Sequence, residues 1–399
     1  MIIVALLFLG LVRKSYGLYS VEFLSLLIFF LYGFSLEIDH YIFGIDKLEI
    51  FGLQELDYNS QNYLIIRLLY LSFMLGFTVV ILAGKRKSIL VVNRSNKILH
   101  KILLLLWSLS LLYLAYKLFG LNRLEKMSYI TSVKYFHYFA MIGAIYSVGV
   151  LWIYSTTGTI ATFEKLLLLA VFLYGIMDGG RELFIYLFLG IIPLLKKNRR
   201  AILSLASIGL IAIMLILWKP MTAAYYAGLT LDEIYSVIIT NTQLSLSGID
   251  PKPSLLLISN YLDGSKIFEG MNGSYLFNMF GQIGSAIGLF DYTSLARTVM
   301  LRVNQSLAAE GAGLAFSGIL ESLMNFWIVG PFILGVILAT LIRLSRSSMN
   351  VNMLYIYLAL IALKIVRTEL MVVFKLYGIP ILICAILFMM KKVNKNEIF

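Results

Sequence analysis

The residues in this 399-residue chain that could do chemistry are arginines, lysines and carboxylates set into apolar sequence. Asp178, Arg181 and Glu182 interrupt the run FEKLLLLAVFLYGIMDGGRELFIYLFLGIIPLL, residues 163–195. Arg297, Arg302, Glu310 and Glu321 fall in RTVMLRVNQSLAAEGAGLAFSGILESLMNFW. Lys364 and Arg367 sit in ALKIVRTEL, with Glu369 just beyond. Ionisable side chains in membrane-buried sequence are expensive and mark function by default. Arginine grips phosphate bidentately, lysine acts as a point charge, and carboxylates supply acid or base groups. This set fits an anionic lipid diphosphate, and equally an anionic solute in a transporter. Each group also has a plain structural reading: Arg181 snorkelling from a tight turn, Glu321 locked in a packing ion pair, Lys364 and Arg367 snorkelling or pairing with Glu369. The three histidines, His40, His100 and His137, are scattered and form no metal cluster with the single Cys384. No phosphate-binding glycine loop is present. The expectation is chemistry without metal or other cofactor.

The elements that must position these groups are membrane helices. Hydrophobic residues make up 60% of the chain and charged residues 14%, against about 25% charged in soluble domains. Apolar segments lie at roughly 2–12, 18–36, 63–83, 102–119, 138–155, 163–177, 182–195, 201–218, 314–342, 352–367 and 371–390. The fold expected is an all-α polytopic membrane protein of about eleven transmembrane helices. It forms a single membrane-embedded domain over 1–399, and segment 2–12 is too short to span unaided. The N-terminus reads as a retained segment, without the basic region and cleavage site of a signal peptide.

The net charge of +12 points away from nucleic acid, because its distribution explains it. Arg13 and Lys14, the cluster from Lys85 to Lys101, Lys196 to Arg200, Arg343 and Arg346, and Lys391 to Lys395 all fall on one face when the segments alternate. That face is cytoplasmic, and so is the C-terminus. The opposite face carries an acidic loop at 37–62 and a large loop at 219–313. In the large loop, LTLDEIYSVIIT opens on a cap-like Thr230. SYLFNMFGQIGSAIGLF suits the interface, and DYTSLARTVMLRVNQSLA reads as an amphipathic helix capped by Asp291. No internal repeat is evident, which weighs against an inverted-repeat transporter.

Spacing sharpens three of the charged sites. As a single helix, 163–195 would be about 50 Å long, too long for one crossing. Two short crossings broken at Gly179-Gly180 keep the basic clusters on one face and recess the DGGRE junction into an outward cavity. Ser317, Glu321 and Asn325 share a helix face by their i, i+4, i+8 spacing. Arg297 and Arg302 stand about 140° apart on a helix and cannot both face one ligand. Lys364 and Arg367, at i, i+3, form an outer basic patch.

GGREL at 179–183 and GLAFSGILESLMNFWIVGPFILG at 313–335, with the segment layout, resemble the Wzy-type O-antigen and capsule polymerases. Arg302 and Gly313 match the Arg-x10-Gly spacing of some members, whereas Arg181 does not, since Ile192 stands eleven residues on. The resemblance implies a metal-independent glycosyltransferase of GT-C kind in the bacterial inner (plasma) membrane. Its substrate is an undecaprenyl-diphosphate-linked oligosaccharide met among membrane lipids, and a chain-length regulator is a further partner. Arg181 and Arg302 then neutralise the diphosphate, and Glu321 orients or deprotonates the acceptor hydroxyl. Arg367 adds a phosphate contact. Arg297, Lys364, Glu310, Asn325, Asp178 and Glu182 line the same site. The alternatives are an O-antigen ligase, which needs an outer histidine such as His137 or His40, and a lipid-linked sugar flippase or anion transporter.

Overall fold

The computed structural model describes residues 1–18, 20–50, 52–84, 98–121, 123–157, 160–178, 251–271, 293–305, 316–347, 352–373 and 377–389, with positions 228, 230, 232, 233, 281 and 284. The described chain is mostly helical. Its helices are α1 (Ile2–Tyr16), α2 (Val21–Gly33), α3 (Ser35–Phe43), α4 (Gln61–Leu82), α5 (Ile98–Leu118), α6 (Arg123–Ser132), α7 (Lys134–Thr157) and α8 (Thr162–Asp178). There follow α9 (Pro251–Leu262), α10 (Leu295–Val303), α11 (Gly318–Phe326), α12 (Gly330–Ser347), α13 (Asn352–Ile365), α14 (Leu370–Val373) and α15 (Ile379–Met389). A short antiparallel ladder pairs β1 (Lys47–Leu48) with β2 (Leu56–Asp57), Lys47 opposite Asp57 and Leu48 opposite Leu56. Three described stretches are long and apolar enough to cross a membrane: Gln61–Leu82, His100–Leu118 and Gly318–Arg346. The bent pair α2 and α3 makes up to a fourth. The protein is a multi-pass membrane protein.

Serine starts several of these helices. The hydroxyls of Ser20, Ser60, Ser294 and Ser317 accept the N–H groups of Phe23, Tyr63, Arg297 and Leu320. Each satisfies a donor that the helix itself leaves open. Thr230 does the same reciprocally, because its N–H donates to Glu233 Oε2 while its own Oγ1 accepts the Glu233 N–H. The cap-like reading of Thr230 therefore holds. The cap of α10 is Ser294, not the expected Asp291, which lies outside the described residues.

Three segments differ from their expected form. The 18–36 segment bends by 63° at Phe34 and continues as α3 to Phe43. Glu37 and Asp39, expected in an outer loop, are therefore buried in a helix. Burial is tolerable for Glu37 because Arg67 pairs with it at 3.2 Å. The 314–342 segment is not one helix, since a 3₁₀ turn at Trp327–Val329 separates α11 from α12. Trp327 adopts φ 53° there, a conformation costing about 1–3 kcal/mol for a bulky side chain. A Cβ added to Gly330 would lie 2.0 Å from the Ser322 carbonyl oxygen. In a straight helix those residues are about 12 Å apart, so the chain folds sharply back at this turn. The last segment, expected over 371–390, is described in two pieces, α14 and α15. Helices α6 and α9 stand where the sequence suggested only loop. The expected segments 182–195 and 201–218 lie outside the described residues.

The chain divides into two compact units. One comprises 1–87, 243–347 and 358–379. Its centre is the α4–α12 pair, which approaches backbone to backbone through glycine. A Cβ on Gly76 would lie 2.5 Å from the Phe332 carbonyl oxygen, and one on Gly335 2.3 Å from that of Phe73. Small residues permit such close packing where lipid offers no competing hydrophobic gain. At the far end of α12, Arg346 pairs with the buried Glu22 at 2.5 Å, and its guanidinium lies 5.1 Å from the Tyr16 ring. The other unit comprises 88–242, 348–357 and 380–399. There α5, α7 and α8 pack around Trp107 and Tyr146, whose hydroxyl meets His100 Nε2 at 2.6 Å. Gly143 admits Trp107, because a Cβ there would lie 2.5 Å from the Trp107 Cβ.

Candidate functional site

The Ser317 cap starts α11 inside the protein, so the first turn carries Glu321 to complete burial, 0% exposed. A carboxylate there is tolerated only with partners. Its Oε2 accepts the N–H of Leu370, the first residue of α14, at 2.6 Å. Gly318 makes the approach possible. Any Cβ at that position would stand 2.7 Å from Ile365 Cγ2 and 3.1 Å from the Ile365 carbonyl oxygen.

The turn between α13 and α14 supplies the remaining charges. Helix α13 ends as Arg367 N–H donates to the Lys364 carbonyl at 3.1 Å. Lys364 is buried, with Nζ 4.6 Å from the Tyr377 ring centroid. Arg367 is half-buried. Glu369, fully buried, accepts the Ala296 N–H in the first turn of α10 at 2.5 Å. An anion at that helix start is favoured by the aligned peptide dipoles as well as by the hydrogen bond. The carboxylates thus act in series: Glu321 of α11 holds the start of α14, and Glu369 before α14 holds the start of α10.

The expected site residues divide accordingly. Glu321 reaches the α13–α14 turn through the Leu370 N–H, while Lys364 stands in the last turn of α13 and Arg367 just beyond it. Asn325 shares the α11 face with Glu321, but its Nδ2 donates to the Glu321 carbonyl at 2.8 Å. Arg297 and Arg302 are both exposed on α10. Arg302 Nη1 donates to the carbonyls of Ile267 and Glu269, 2.9 Å each, and straps α10 to the 3₁₀ turn at Lys266–Phe268. Asp178 ends α8, half-buried, in the other compact unit, where Lys126 Nζ donates to the neighbouring Met177 carbonyl. Arg181, Glu182 and Glu310 lie outside the described residues. Glu369 appeared in the sequence only as a pairing partner, and Tyr377 not at all. The signal for Glu369 was an acidic residue directly before the apolar run LMVV, a helix-start pattern.

Lys364, Arg367 and Glu369 thus lie in or beside one turn, and Glu321 of α11 is bonded to its α14 end. Residues 247–397 match the family model of the O-antigen polysaccharide polymerase Wzy. The matched stretch contains Glu321, Lys364, Arg367, Glu369 and the Arg302 strap. It connects the chain to polysaccharide biosynthesis at the membrane and to an enzyme of polymerase type. Searches of curated proteins and of solved structures found no match to the chain. Among the described residues no group of three or more histidine, cysteine, aspartate or glutamate side chains could hold a metal ion.

Proposed function

We propose that the chain polymerises oligosaccharide repeat units on the outer face of the bacterial inner membrane. It transfers a growing glycan from undecaprenyl diphosphate to the terminal sugar of a lipid-linked unit. The fold is GT-C-like, with about eleven crossings and a cytoplasmic C-terminus. A hydroxyl oxygen of the acceptor attacks the anomeric carbon of the donor, and the bond from that carbon to the diphosphate oxygen breaks. Undecaprenyl diphosphate departs with the electron pair, and the hydroxyl proton passes to a basic oxygen. No metal is needed, because Arg367 and Lys364 stabilise the negative charge that grows on the departing diphosphate. Glu321 and Glu369 position that pair by fixing the α14 end of the turn, one to α11 and the other to α10. The observation that carries this reading is the buried acid–base cluster at 364–370 lying inside the matched stretch.

The test uses full-length protein in nanodiscs with purified lipid-diphosphate repeat units. Wild type should build polymer and release undecaprenyl diphosphate without metal or nucleotide. Arg367→Gln should lower kcat/KM by about 100-fold, equivalent to about 2.7 kcal/mol. Unchanged activity in Arg367→Gln would remove the site assignment. Transfer only to lipid A core would establish a ligase. Ion-gradient-dependent movement of the lipid-linked unit with no new glycosidic bond would establish a transporter. Of the two histidines expected of a ligase, His137 in α7 meets the Tyr174 hydroxyl at 3.0 Å and is half-buried, while His40 is held by Asp46 at 2.5 Å.

A further inference from the structure

A second cluster, away from the charged turn, is built from α3, the loop after it and the start of α4. The His40 ring stacks on Tyr58 at 3.9 Å with 10° between the planes. Tyr41 stands edge-on to both rings, at 5.1 Å from His40 and 6.3 Å from Tyr58. The two tyrosine hydroxyls meet at 3.4 Å, and Asp46 Oδ1 holds His40 Nδ1 at 2.5 Å. Behind the rings, the Arg67 guanidinium lies 5.7 Å from the Tyr58 centroid and is tied to Glu37. Tyr41 is 70% exposed although its neighbours are organised around it. Packing of the fold does not account for an arrangement whose outermost ring faces outward.

The surroundings decide the class of ligand. Residues 37–62 carry Glu37, Asp39, Asp46, Glu49, Glu55 and Asp57 against Lys47, and Lys47 is paired with Glu55 at 3.0 Å. A diphosphate or an acidic sugar would be repelled here, whereas hydroxyl groups would find acceptors. Asp46, Glu49 and Glu55 are exposed around the rings. The Tyr58 hydroxyl donates to that of Tyr41, and this bond pushes its pKa up to about 12.

The cluster is tied to the charged turn within the same compact unit. Gln54 exchanges two hydrogen bonds with the Asn260 amide of α9, at 3.1 and 3.2 Å. Gly52, at φ +86°, lies against the end of α10, where a Cβ would stand 2.7 Å from Val303 Cγ1. The start of α10 is the end held by Glu369. One nine-residue helix, about 13 Å long, thus runs between the acidic aromatic loop and the anion-binding turn.

We propose that His40, Tyr41 and Tyr58, with Asp46, form a sugar subsite for a neutral or amino-bearing residue of the glycan, distinct from the diphosphate site. The rings supply the stacking face, and Asp46 with the tyrosine hydroxyls supplies hydrogen bonds to sugar hydroxyls. The identity of the glycan as a repeat unit rests on the polymerase reading.

The probe is the repeat-unit oligosaccharide freed of lipid and diphosphate by mild acid, taken from a strain of the source bacterium deleted for this chain. Full-length protein in nanodiscs is titrated with it by saturation-transfer NMR, and KM and kcat are measured with the lipid-linked unit. Tyr41→Ala, at an exposed position, and His40→Ala should each weaken binding about five- to tenfold and raise KM by the same factor, with kcat within about twofold. Inorganic pyrophosphate should not displace the probe. Wild-type binding and KM in Tyr41→Ala, or displacement by pyrophosphate, would overturn the subsite. If wild type forms polymer while Tyr41→Ala behaves as wild type, the subsite falls and the polymerase reading stands. If wild type forms no polymer but Tyr41→Ala weakens glycan binding, the subsite stands and the polymerase reading falls.

Discussion

Replacing Glu321 by glutamine separates two roles for this carboxylate. The side chain is 0% exposed, and Oε2 accepts the Leu370 N–H at 2.6 Å. A hydrogen bond to a charged acceptor contributes about 1.5–3 kcal/mol and one to a neutral acceptor about 0.5–1.5 kcal/mol. Glutamine keeps the shape and an acceptor oxygen, so the loss is about 1–1.5 kcal/mol. If the carboxylate positions the Lys364–Leu370 turn, that loss lowers kcat/KM about tenfold. The pH–rate profile keeps its shape. If Glu321 is instead the base that takes the acceptor proton, its loss should cost about 100- to 10,000-fold and abolish the acid limb of the profile. The assay is polymer formation from purified lipid-diphosphate repeat units in nanodiscs, measured from about pH 5 to pH 9. A tenfold effect with an unchanged profile is expected. A thousandfold loss with a flattened acid limb would refute the positioning argument, and full activity would refute both roles. Glu321→Ala serves as the contrast. It leaves the Leu370 N–H without this acceptor and should destabilise the protein by about 1–3 kcal/mol.

Three further outcomes follow from the packing. Gly335→Ala should lower the thermal midpoint in detergent, since its Cβ would lie 2.3 Å from the Phe73 carbonyl oxygen and 3.0 Å from the Phe77 nitrogen. Overpacking of this kind costs about 1–3 kcal/mol, so a midpoint equal to wild type would mean that α4 and α12 separate easily. Glu22→Leu and Arg346→Met should each cost about 3–5 kcal/mol by orphaning a buried charge, and the double variant should recover most of it. Additive losses in that cycle would show that the pair is not coupled. Arg302→Gln should raise hydrogen exchange at 266–269, because both carbonyl contacts come from its Nη1. An unchanged exchange pattern would return Arg302 to consideration as a direct phosphate ligand.

The long crossings were legible because nothing in them competes with the helix signal. Helix α4 is apolar over most of its length, Arg67 being its one charged residue, and opens on Ser60, a strong cap. The break at Trp327 carried a sequence signal in Gly330-Pro331 just beyond it, a turn-marking pair, but not its sharpness. The turn is imposed by tertiary contact, with Gly330 seated on the Ser322 carbonyl. Helix α9 carried a usable signal, Pro251 and Pro253 ahead of an apolar run, because proline is tolerated in a first helical turn. Glu321, Lys364 and Arg367 were legible because charge in apolar sequence is costly and demands a reason. The bond from Glu321 to the start of α14 was not legible, since it depends on Gly318 letting α11 close on the Ile365 backbone. The strap made by Arg302 was hidden for a similar reason: its acceptors are backbone carbonyls more than thirty residues away, and main-chain oxygens carry no sequence signature.

The serial capping explains how so much charge can lie inside a membrane protein. A buried carboxylate needs donors, and in apolar surroundings the ready donors are helix starts, where N–H groups have no partner within the helix. Short helices provide more starts per length of chain than long ones. Helix α11 has nine residues, α14 four and α10 nine, and two of these three starts are capped by a carboxylate from another segment. The result is directional. A shift of Glu321 moves the start of α14, Glu369 directly precedes that start, and Glu369 fixes the start of α10. The far end of α10 bears Arg302 and abuts Gly52 of the acidic loop. An anion arriving at Lys364 and Arg367 therefore acts on a chain of contacts that ends at the proposed sugar subsite. Diphosphate binding and sugar binding should accordingly be coupled, each tightening the other by the same factor.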